Sequence, residues 1–308
     1  MRDEEHHDVV IVGAGAAGVS CALECFDIQL DTIVFETTPE PGGQLAEIPH
    51  SVRNVAAGRF ENGRALRQAL EDASAILGDR LRVAQSVTRA DLGERWVEVN
   101  STRVHGTALV LCTGTVRQQL PAAIDGAFGG DVTYQLEPRR ERFVGRDVVV
   151  IGSGDSAALD ALELVGKASS VKLVHRSDAL KARQDIVEQV RAEPRIEDLP
   201  GWELEKTSGD DRLEEIVLVR SANEERLRLS VGGVIVKIAR VPSTQLFEGQ
   251  IELDRAGAIV VDEELRTSRA GVMAAGDVTA AAYPRVAVAL GQGVLAARSA
   301  LRFVQGRP

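Results

Sequence analysis

The chain has 308 residues, of which 44% are hydrophobic and 27% are charged, a composition typical of soluble globular proteins and a length that favours two domains. Its formal net charge of −10 argues against nucleic acid or an anionic membrane as a partner. No apolar run of about eighteen residues and no signal-peptide pattern occur, and the three cysteines do not suit a disulfide framework, so we expect a cytoplasmic protein with no membrane span and no metal site.

Residues 9–36 contain, in order, an apolar strand, a glycine-rich turn, a helical stretch and a second strand that ends in an acid. A dinucleotide-binding site needs these parts in this order. Gly13 allows the tight turn, Gly15 keeps side chains away from a pyrophosphate, and Gly18 lets the helix pack close to the sheet. The helix N-terminus offers unpaired N–H groups and a positive dipole end to the phosphates. Glu36 stands where a carboxylate accepts hydrogen bonds from an adenosine ribose, so we expect a nucleotide site here.

Residues 39–45 are predicted to form a turn-rich loop. Two adjacent glycines in it would let the backbone approach a planar ligand, and Gln44 would supply an amide; a plain surface loop is the alternative. Residues 64–77 have the apolar spacing of an amphipathic helix. Residues 81–83 and 96–99 are predicted to be strands of a small β-meander.

The opening pattern returns after an apolar strand at residues 108–115. A strand leads into the sequence Gly-Ser-Gly-Asp-Ser-Ala at 152–157, a helix follows, and a strand at 170–174 ends at His175 and Arg176. This internal repeat of the βαβ unit implies two bound nucleotides, or one bound nucleotide and one vestigial site.

The two repeats differ at the end of their second strand. The first ends on Glu36, which suits a free ribose diol, whereas the second ends on His175 and Arg176, with Lys181 close behind and no acid. A cationic cluster suits a 2′-phosphate, because a guanidinium matches phosphate in charge and in geometry. The second site therefore favours NADP over NAD; a solvated basic turn is the alternative.

The rest of the chain predicts further strands and one long final helix. Small residues along this helix would let it lie close to a ligand or to another backbone. The predicted strands are residues 217–219, 227–229, 233–238, 251–253, 259–261 and 271–275, and the helix runs from about residue 285 to residue 304.

Taken together, these motifs resemble the low-molecular-weight thioredoxin reductase family, the class II pyridine nucleotide-disulfide oxidoreductases that use FAD and NADPH. The resemblance covers nearly the whole chain in one order. The segments that match the FAD side are Gly13–Gly18 with Glu36, Pro41–Leu45, Asn54, Gly271–Asp277 and Arg285–Ala287. Those that match the NADPH side are Gly152–Ala157 and His175–Arg176.

The resemblance implies an α/β fold with two Rossmann-like dinucleotide-binding domains in a three-layer ββα arrangement. Residues 1–116 and 245–308 would form a discontinuous FAD domain, and residues 117–244 an inserted NAD(P)H domain. A homodimer, and a swivel between the two domains, are implied as well.

The resemblance also implies a set of cofactor-binding residues. Asp277 would hydrogen-bond the ribityl chain, and Arg285–Ala287 would approach the pyrimidine edge of the flavin. The implied FAD residues are Gly13, Gly15, Ala16, Ala17, Gly18, Glu36, Gly43, Gln44, Leu45, Asn54, Val87, Thr113, Gly114, Gly276, Asp277, Arg285, Val286 and Ala287. The implied NADP residues are Gly152, Gly154, Asp155, Ser156, Ala157, His175, Arg176 and Lys181.

The chain departs from the family's disulfide reductases at the redox dithiol. Gln135 and Pro138 stand where the two cysteines of the C-x-x-C are expected. Neither residue can form a thiolate or attack a disulfide, so reduction of thioredoxin through that dithiol is excluded. We expect Cys21, Cys25 and Cys112 to pack in the core instead. No catalytic residue can be named from the sequence.

We therefore expect an FAD-dependent NAD(P)H oxidoreductase that passes electrons to a non-thiol acceptor. Residues 154–162 are similar to those of thioredoxin-reductase-type ferredoxin/flavodoxin–NADP reductases, so the acceptor would be such a carrier or a small molecule. The alternatives are an NAD(P)H oxidase or other small-molecule flavoenzyme, and a non-catalytic FAD-binding redox sensor. The basic run at residues 139–142 would dock an acidic carrier, unless it is only a solvated linker.

Overall fold

The chain folds into two compact units: a first unit of residues 1–116 and 240–308, and a second unit of residues 117–239. The structure is a computed structural model, which describes residues 4–118, 120, 124, 128–137, 139–220, 222–280 and 283–307. The nucleotide assigned to each part of the chain remains a prediction.

The main sheet of each unit contains a strand–helix–strand segment, and each unit also contains a run of consecutive strands. The strands up to the exit from the first unit are β1 (Glu4–Val12), β2 (Thr32–Phe35), β3 (Val52–Val55), β4 (Gly58–Phe60), β5 (Leu81–Arg82), β6 (Val87–Asp91), β7 (Trp96–Val99), β8 (Thr102–Leu111) and β9 (Thr115–Arg117). The helices in this part are α1 (Ala16–Asp27) and α2 (Gly63–Ser74), with 3₁₀ turns at Gly43–Glu47 and Ala75–Arg80.

The second unit and the return of the chain complete this set. The second unit contains β10 (Val132–Thr133), β11 (Asp147–Ile151), α3 (Asp155–Leu164), β12 (Ser170–His175), α4 (Gln184–Ala192), β13 (Ile196–Pro200), β14 (Glu203–Ser208), β15 (Glu215–Arg220), β16 (Glu225–Ser230) and β17 (Gly233–Val236). The first unit then resumes with β18 (Arg240–Pro242), β19 (Val272–Ala274) and α5 (Val286–Val304).

A seven-stranded sheet forms the centre of the first unit, in the order β5-β2-β1-β8-β7-β6 with β19 also paired to β8. The pairs that β1 and β19 make are parallel, whereas β6, β7 and β8 form an antiparallel meander. Residues 9–12 of β1 are buried Val and Ile, as expected for a strand covered on both faces. Because Val12 pairs with Leu111, the turns that follow β1 and β8 lie at one edge of the sheet, where ligands bind in such folds.

The final helix packs against the first one at very short range. A Cβ on Gly293 of α5 would lie 2.3 Å from the carbonyl oxygen of Ala17 in α1. The Ser20 hydroxyl on α1 also donates a hydrogen bond to the carbonyl of Leu290, at 2.8 Å. Gly293, one of the small residues predicted for α5, therefore allows close contact with another backbone.

Three local predictions for the first unit were wrong. Leu81–Arg82 pairs in parallel with β2 at the edge of the sheet and is not part of the meander. Residues 43–47 form a 3₁₀ turn rather than an irregular loop, and residues 251–253 and 259–261 contribute isolated bridges rather than strands. Sequence pattern indicates that a stretch is extended, but only the tertiary structure decides which strand lies beside it.

The second unit repeats the parallel arrangement around β11. Its main sheet has the order β10-β17-β11-β12-β13, all parallel, and β14, β15 and β16 form a separate antiparallel sheet. As in the first unit, the glycine-rich turn follows the carboxyl end of a central strand. The repeat predicted from the sequence is therefore also a structural repeat.

One helix among the described residues, α5, is long and apolar enough by length and composition to cross a membrane. A third of its most apolar window is buried inside the protein, where α5 lies against α1. Core helices of globular proteins meet the same two criteria.

Candidate functional site

The first glycine-rich turn is closed against the protein at two of its glycines and open at the third. A Cβ on Gly13, whose φ is +97°, would lie 2.4 Å from the carbonyl oxygen of Cys112, and one on Gly18 would lie 1.8 Å from the carbonyl oxygen of Gly13. By contrast, a Cβ on Gly15 would meet no protein atom beyond its chain neighbours within 4 Å. The open face of Gly15 leaves room for a ligand to approach the backbone.

The start of α1 offers unpaired donors beside this opening. Gly15 is the N-cap, no side chain caps the helix, and the first turn contains no acid. Because the first helical bond runs from the N–H of Val19 to the carbonyl of Gly15, the N–H groups of Ala16 and Ala17 have no partner within the helix. Such a terminus is suited to bind an anion such as pyrophosphate.

The carboxylate of Glu36 is buried and bonded to the glycine-rich turn. Its Oε2 accepts a hydrogen bond from the N–H of Ala14 at 2.8 Å, and its Oε1 accepts bonds from the N–H and the hydroxyl of Thr38 at 2.9 and 2.8 Å. The side chain ends at the same edge of the sheet as Gly15. A carboxylate has about four acceptor positions, so Glu36 retains capacity for a ribose hydroxyl.

The loop at residues 41–45 lies on the glycine-rich turn. The N–H of Gly42 donates to the carbonyl of Ala14 at 2.7 Å, and a Cβ on Gly43 would lie 3.5 Å from the Cα of Gly15. Gly42 has a φ of +104°, which favours glycine at this position. The loop and the turn therefore form two walls of one site.

A directed chain of hydrogen bonds crosses this site and ends at Asp277. Arg240 donates from Nε to the hydroxyl of Thr115 at 2.9 Å, and this hydroxyl donates to Oε1 of Gln44 at 3.3 Å. Gln44 in turn donates from Nε2 to Oδ2 of Asp277 at 2.6 Å. Arg240 also forms an ion pair with Glu47 at 2.8 Å. Arg240, Thr115 and Glu47 were not predicted, because no local sequence motif contains them.

The start of α5 closes the other side of the site. Arg285 is its N-cap, without a capping side chain and without an acid in the first turn, so the N–H groups at Val286 and Ala287 begin a long helix dipole. Gly276, next to Asp277, donates its N–H to the side-chain Oε1 of Gln292 at 2.8 Å. Gln292, one turn and a half into the helix, was also missed from the sequence.

The remaining predicted FAD residues differ in their surroundings. The side chain of Leu45 is buried in a small apolar cluster beside Val286, and Asn54 is exposed on β3 of the same region. Thr113 donates its hydroxyl to the carbonyl of Ser243 at 2.7 Å. Gly114 has an open Cβ position. Val87 begins β6 and is half-buried against the core of the first unit, two residues after Gln85, whose N–H donates to the carbonyl of Glu36.

The second glycine-rich turn has the same construction with one charged difference. A Cβ on Gly152 would lie 2.3 Å from the carbonyl oxygen of Lys237, whereas one on Gly154 would meet nothing within 4 Å. Ala157 is buried in the third position. Unlike α1, however, α3 begins with an acid, since Asp155 lies in its first turn. The carboxylate of Asp155 accepts a hydrogen bond from the N–H of Arg183 at 2.8 Å.

A buried ion pair joins α3 to the segment that follows β17, next to the second glycine-rich turn. Lys237 lies 2.9 Å from Asp160 of α3, and the two side chains are only 9% and 1% exposed. The N–H of Lys237 also bonds the carbonyl of Ile151 at 2.7 Å. A buried pair of this kind fixes the position of its elements, because removing one partner would leave the other charge unpaired inside the protein.

His175 does not occupy the position predicted for a phosphate ligand. Its side chain is buried, and its two ring nitrogens lie 2.9 Å from a carboxylate oxygen of Asp198 and 2.8 Å from the carbonyl oxygen of Ser177. The ring therefore holds the turn after β12 rather than facing a ligand. Arg176 and Lys181 are exposed, and neither forms an ion pair within the described part of the chain. The N–H of Lys181 bonds the carbonyl of Ser153 at 2.7 Å, which brings this segment next to the second glycine-rich turn.

The positions of sulfur in the structure bear directly on the lost dithiol. Gln135 is exposed, whereas Pro138 lies outside the described residues. Cys21, Cys25 and Cys112, the only cysteines of the chain, are unpaired and buried in the core of the first unit, as predicted. Burial raises the pKa of the Cys112 thiol to about 12.

Known proteins match this chain over almost its entire length. Residues 7–293 match the family described as pyridine nucleotide-disulphide oxidoreductase. A "34.2 kDa protein in rubredoxin operon" from Clostridium pasteurianum is 28% identical over 100% of both chains. A thioredoxin reductase from Mycolicibacterium smegmatis is 31% identical and covers 97% of this chain and 96% of its own.

Solved structures confirm the predicted fold. The crystal structure of Lactococcus lactis thioredoxin reductase has a TM-score of 0.86 and 27% identity, over 97% of this chain and 99% of the other. The bacillithiol disulfide reductase Bdr (YpdA) of Staphylococcus aureus has a TM-score of 0.80 over 96% and 98% of the two chains, and at 16% identity it bears on the fold alone. The fold is thioredoxin reductase-like, with two Rossmann-like domains.

Proposed function

Because this chain belongs to the pyridine nucleotide-disulphide oxidoreductase family of flavoenzymes, we propose that it passes electrons from NAD(P)H through FAD to an acceptor that is not a disulfide. The observation that carries this proposal is the state of its thiols. Every cysteine of the chain is buried, and Gln135 stands exposed at one position of the missing dithiol. A disulfide substrate needs an accessible thiolate, which this chain does not offer.

The first unit would hold FAD at the edge of its parallel sheet. The N-terminus of α1 would bind the pyrophosphate, Glu36 the adenosine ribose, and Asp277 the ribityl chain. The start of α5 would direct its positive dipole end to the pyrimidine edge. FAD, when bound, supplies a carrier that takes a hydride and releases electrons singly or in pairs. In this proposal residues 1–116 and 245–308 form the FAD domain.

The nicotinamide nucleotide would bind in the inserted domain predicted at residues 117–244, of which residues 117–239 form the second unit. The open face of Gly154 and the unpaired start of α3 support a pyrophosphate site there. The exposed cations Arg176 and Lys181 support NADPH over NADH, because a 2′-phosphate would have to be matched by positive charge. His175 would position this segment from within the unit rather than contact the phosphate.

A protein carrier is the acceptor class that we favour. The relative from Clostridium pasteurianum is named for its place in a rubredoxin operon, which supports a redox-carrier context for this group of chains. A one-electron carrier needs no thiol relay, so it is compatible with the buried cysteines.

We also propose a homodimer, for which sedimentation velocity is the test.

Anaerobic rapid mixing with NADPH and with NADH tests the enzymatic function. The purified protein should be yellow, and NADPH should bleach its flavin absorbance at a rate that supports turnover. Reoxidation should follow when a carrier or a small-molecule acceptor is added and should not follow with oxidised thioredoxin. A colourless protein, or a flavin that neither nucleotide reduces, would overturn the proposal.

A non-catalytic FAD-binding redox sensor is the second candidate, and one observation favours it. Asp155 puts a carboxylate in the first turn of α3, where a negative charge opposes pyrophosphate binding. The first unit has no such charge in α1. The same rapid-mixing experiment separates the candidates, because a sensor would bind FAD and show negligible reduction by either nucleotide.

A further inference from the structure

The basic run that the sequence suggested as a docking site is largely neutralised in the structure. Arg140 forms ion pairs with Glu137 and Glu163 at 2.8 and 2.6 Å. Arg142 pairs at 2.7 Å with Asp131, whose side chain is completely buried. Of the four residues at 139–142, Glu141 is itself a carboxylate, and Arg140 and Arg142 are paired with carboxylates. The run therefore does not form a cationic surface.

A different set of cations meets on the first unit. Arg53 on β3, Arg59 on β4, Arg64 on α2 and Arg285 at the start of α5 are all exposed. None of them forms an ion pair with a described residue; Arg53 donates only to the hydroxyl of Ser51, at 3.0 Å. We call these four residues the arginine surface.

A small apolar cluster brings the arginine surface together. Its buried members come from the loop before β3, from β3 itself and from α2, and Val286 of α5 packs against them. Each arginine is adjacent in sequence to one of these packed residues or lies within two positions of one. The cluster consists of Leu45, Val52, Val55 and Leu66, with Ile48, Phe60 and Val286 partly buried against it.

The placement of these arginines opposes folding stability. Arg53 and Arg59 follow and precede the paired residues Val52 and Phe60 in a hairpin whose register shifts before the next pair, so two exposed positive charges lie on one short hairpin. Arg64 lies in the first turn of α2 and Arg285 at the N-cap of α5, where the helix dipole is already positive. Packing and stability therefore do not account for the set.

The carboxylates near the arginine surface do not cancel its charge. Glu47 is paired with Arg240, and Glu40 is paired with Arg67. Glu61 is the only other carboxylate between residues 46 and 70. The protein as a whole has a net charge of −10, so this surface is a local reversal of sign. Field lines from such a patch attract a negatively charged partner.

We propose that the arginine surface docks an acidic one-electron carrier protein beside the flavin site. This inference rests on the proposed function, in which the start of α5 lies at the pyrimidine edge of FAD, so Arg285 ties the surface to the point where electrons leave. Tyr283, 69% exposed, and Val288, 38% exposed, flank Arg285 and supply the aromatic and aliphatic contacts that protein interfaces use. A second copy of this chain that paired through the same surface about a two-fold axis would meet arginine with arginine, which disfavours that occupant.

The electron balance fits a carrier that takes one electron at a time. NAD(P)H gives up a hydride, which contains two electrons and one proton. Two oxidised carriers take one electron each in succession, one proton is released, and NAD(P)⁺ leaves. The arginine surface takes no part in these bond changes; it attracts and orients each carrier.

Charge reversal of the three arginines outside the flavin site tests the proposal. The variants are Arg53→Glu, Arg59→Glu and Arg64→Glu, singly and together, in the FAD-loaded protein. With an acidic rubredoxin and an acidic ferredoxin as probes, the triple variant should lower kcat/KM for the carrier at least tenfold at low salt. The difference should vanish in about 0.5 M salt, because exposed charges are then screened. Reduction of the flavin by NADPH should proceed at the unchanged rate.

Arg139→Glu and Arg255→Glu are the matched controls, since both residues are exposed and neither belongs to the arginine surface. Neither should change the reduction of the carrier. The single variant Arg64→Glu should also raise the melting temperature, because it puts a negative charge in the first turn of α2, where the helix dipole favours it. Lower carrier activity in a more stable protein would rule out misfolding as the cause.

Binding of the carrier, measured by calorimetry on the FAD-loaded protein, keeps this test separate from that of the proposed function. Weaker binding to the triple variant supports the arginine surface even if no nucleotide reduces the flavin. Equal binding and equal kcat/KM in the triple variant and the parent protein would overturn the inference while leaving the proposed function intact. Arginine-dependent binding to phosphatidylserine vesicles, with no effect on carriers, would overturn it in favour of a membrane.

Discussion

Gln44 donates a hydrogen bond from its side-chain amide to the carboxylate of Asp277 at 2.6 Å, although 233 positions separate the two residues. The direction of this bond is fixed from both ends. Arg240 can only donate, so the hydroxyl of Thr115 accepts from Arg240 and donates to the amide oxygen of Gln44. The carboxylate of Asp277 accepts, so the amide nitrogen of Gln44 faces Asp277.

Thr115→Val should loosen this chain of hydrogen bonds without removing a charge. We expect FAD to bind about five- to tenfold more weakly, as the loss of roughly one hydrogen bond implies. Arg240→Met should have a similar effect, and the double variant should be no worse than Arg240→Met alone, because both changes break one chain. Thr115→Ser keeps the hydroxyl and is the control. Additive losses, measured by fluorescence titration of FAD, would show that the two residues act independently.

Arg176→Ala should weaken NADPH much more than NADH. A charge-assisted contact to phosphate contributes about 1.5–3 kcal/mol, so KM for NADPH should rise roughly ten- to a hundredfold while that for NADH changes little. Arg191→Ala, an exposed arginine on α4, is the control. Equal losses for the two nucleotides in steady-state kinetics would mean that Arg176 reads no 2′-phosphate.

Asp131 should make the stability of the protein depend on acid. Burial by itself would raise the pKa of Asp131, but hydrogen bonding to Arg142 and the charge of Arg146 hold it below its ordinary value. A carboxyl with a lowered folded-state pKa contributes stability above its unfolded pKa of about 3.9 and loses it as the pH falls through the folded value.

Asp131→Asn should therefore lower the free energy of unfolding near pH 7 and flatten its fall below about pH 4. At neutral pH a loss of about 1.5–3 kcal/mol is expected, because the charge-assisted hydrogen bonds from Arg142 and Arg146 weaken while both arginines keep access to water. Urea titrations between pH 3 and pH 7 measure both effects. The exposed Asp210→Asn serves as control, and parallel curves for Asp131→Asn and the parent protein would contradict this assignment.

The three thiols should be silent in the native protein. The pKa of Cys21 is raised well above its ordinary value by its hydrogen bond with Cys25 and by burial, and that of Cys112 is raised to about 12. The same hydrogen bond lowers the pKa of Cys25, so complete burial is what keeps the Cys25 thiol from a reagent. Thiol titration should report no rapid reaction before unfolding and three reactive groups after it. Cys21→Ala and Cys25→Ala should retain reduction of a carrier. One fast-reacting thiol in the folded protein would argue for sulfur chemistry that the proposed function excludes.

Gly293→Ala should destabilise the contact between α1 and α5. Its Cβ would lie 2.3 Å from the carbonyl oxygen of Ala17, an overlap expected to lower the free energy of unfolding by about 1–3 kcal/mol. Gly291→Ala, in the same helix, meets no atom within 4 Å and should be neutral or stabilising by up to about 1 kcal/mol. Thermal unfolding of the two variants compares them directly, and an equal response would show that the helices adjust.

Several parts of the site could be predicted because they depend on local rules. The glycine spacing at residues 13–18 and 152–157 requires a tight turn, and the acid at Glu36 follows its strand at a set distance. The absence of redox cysteines is a property of side-chain chemistry and needs no structure. These features could be predicted because each glycine-rich motif and its flanking residues lie within about thirty consecutive residues.

The tertiary structure decided which side chains face a ligand and which are satisfied inside the protein. His175 belongs to the predicted basic motif, yet Asp198 on the neighbouring strand turns its ring inward. Arg142 belongs to a basic run, yet a buried carboxylate neutralises it. Hydrogen bonds and ion pairs between segments far apart in the sequence set these outcomes, and no local pattern records them. The amino-acid sequence by itself determined the two glycine-rich turns and the loss of the dithiol. The tertiary structure decided which positive charges remain available to a ligand, because a cation stays available only where folding brings no carboxylate next to it.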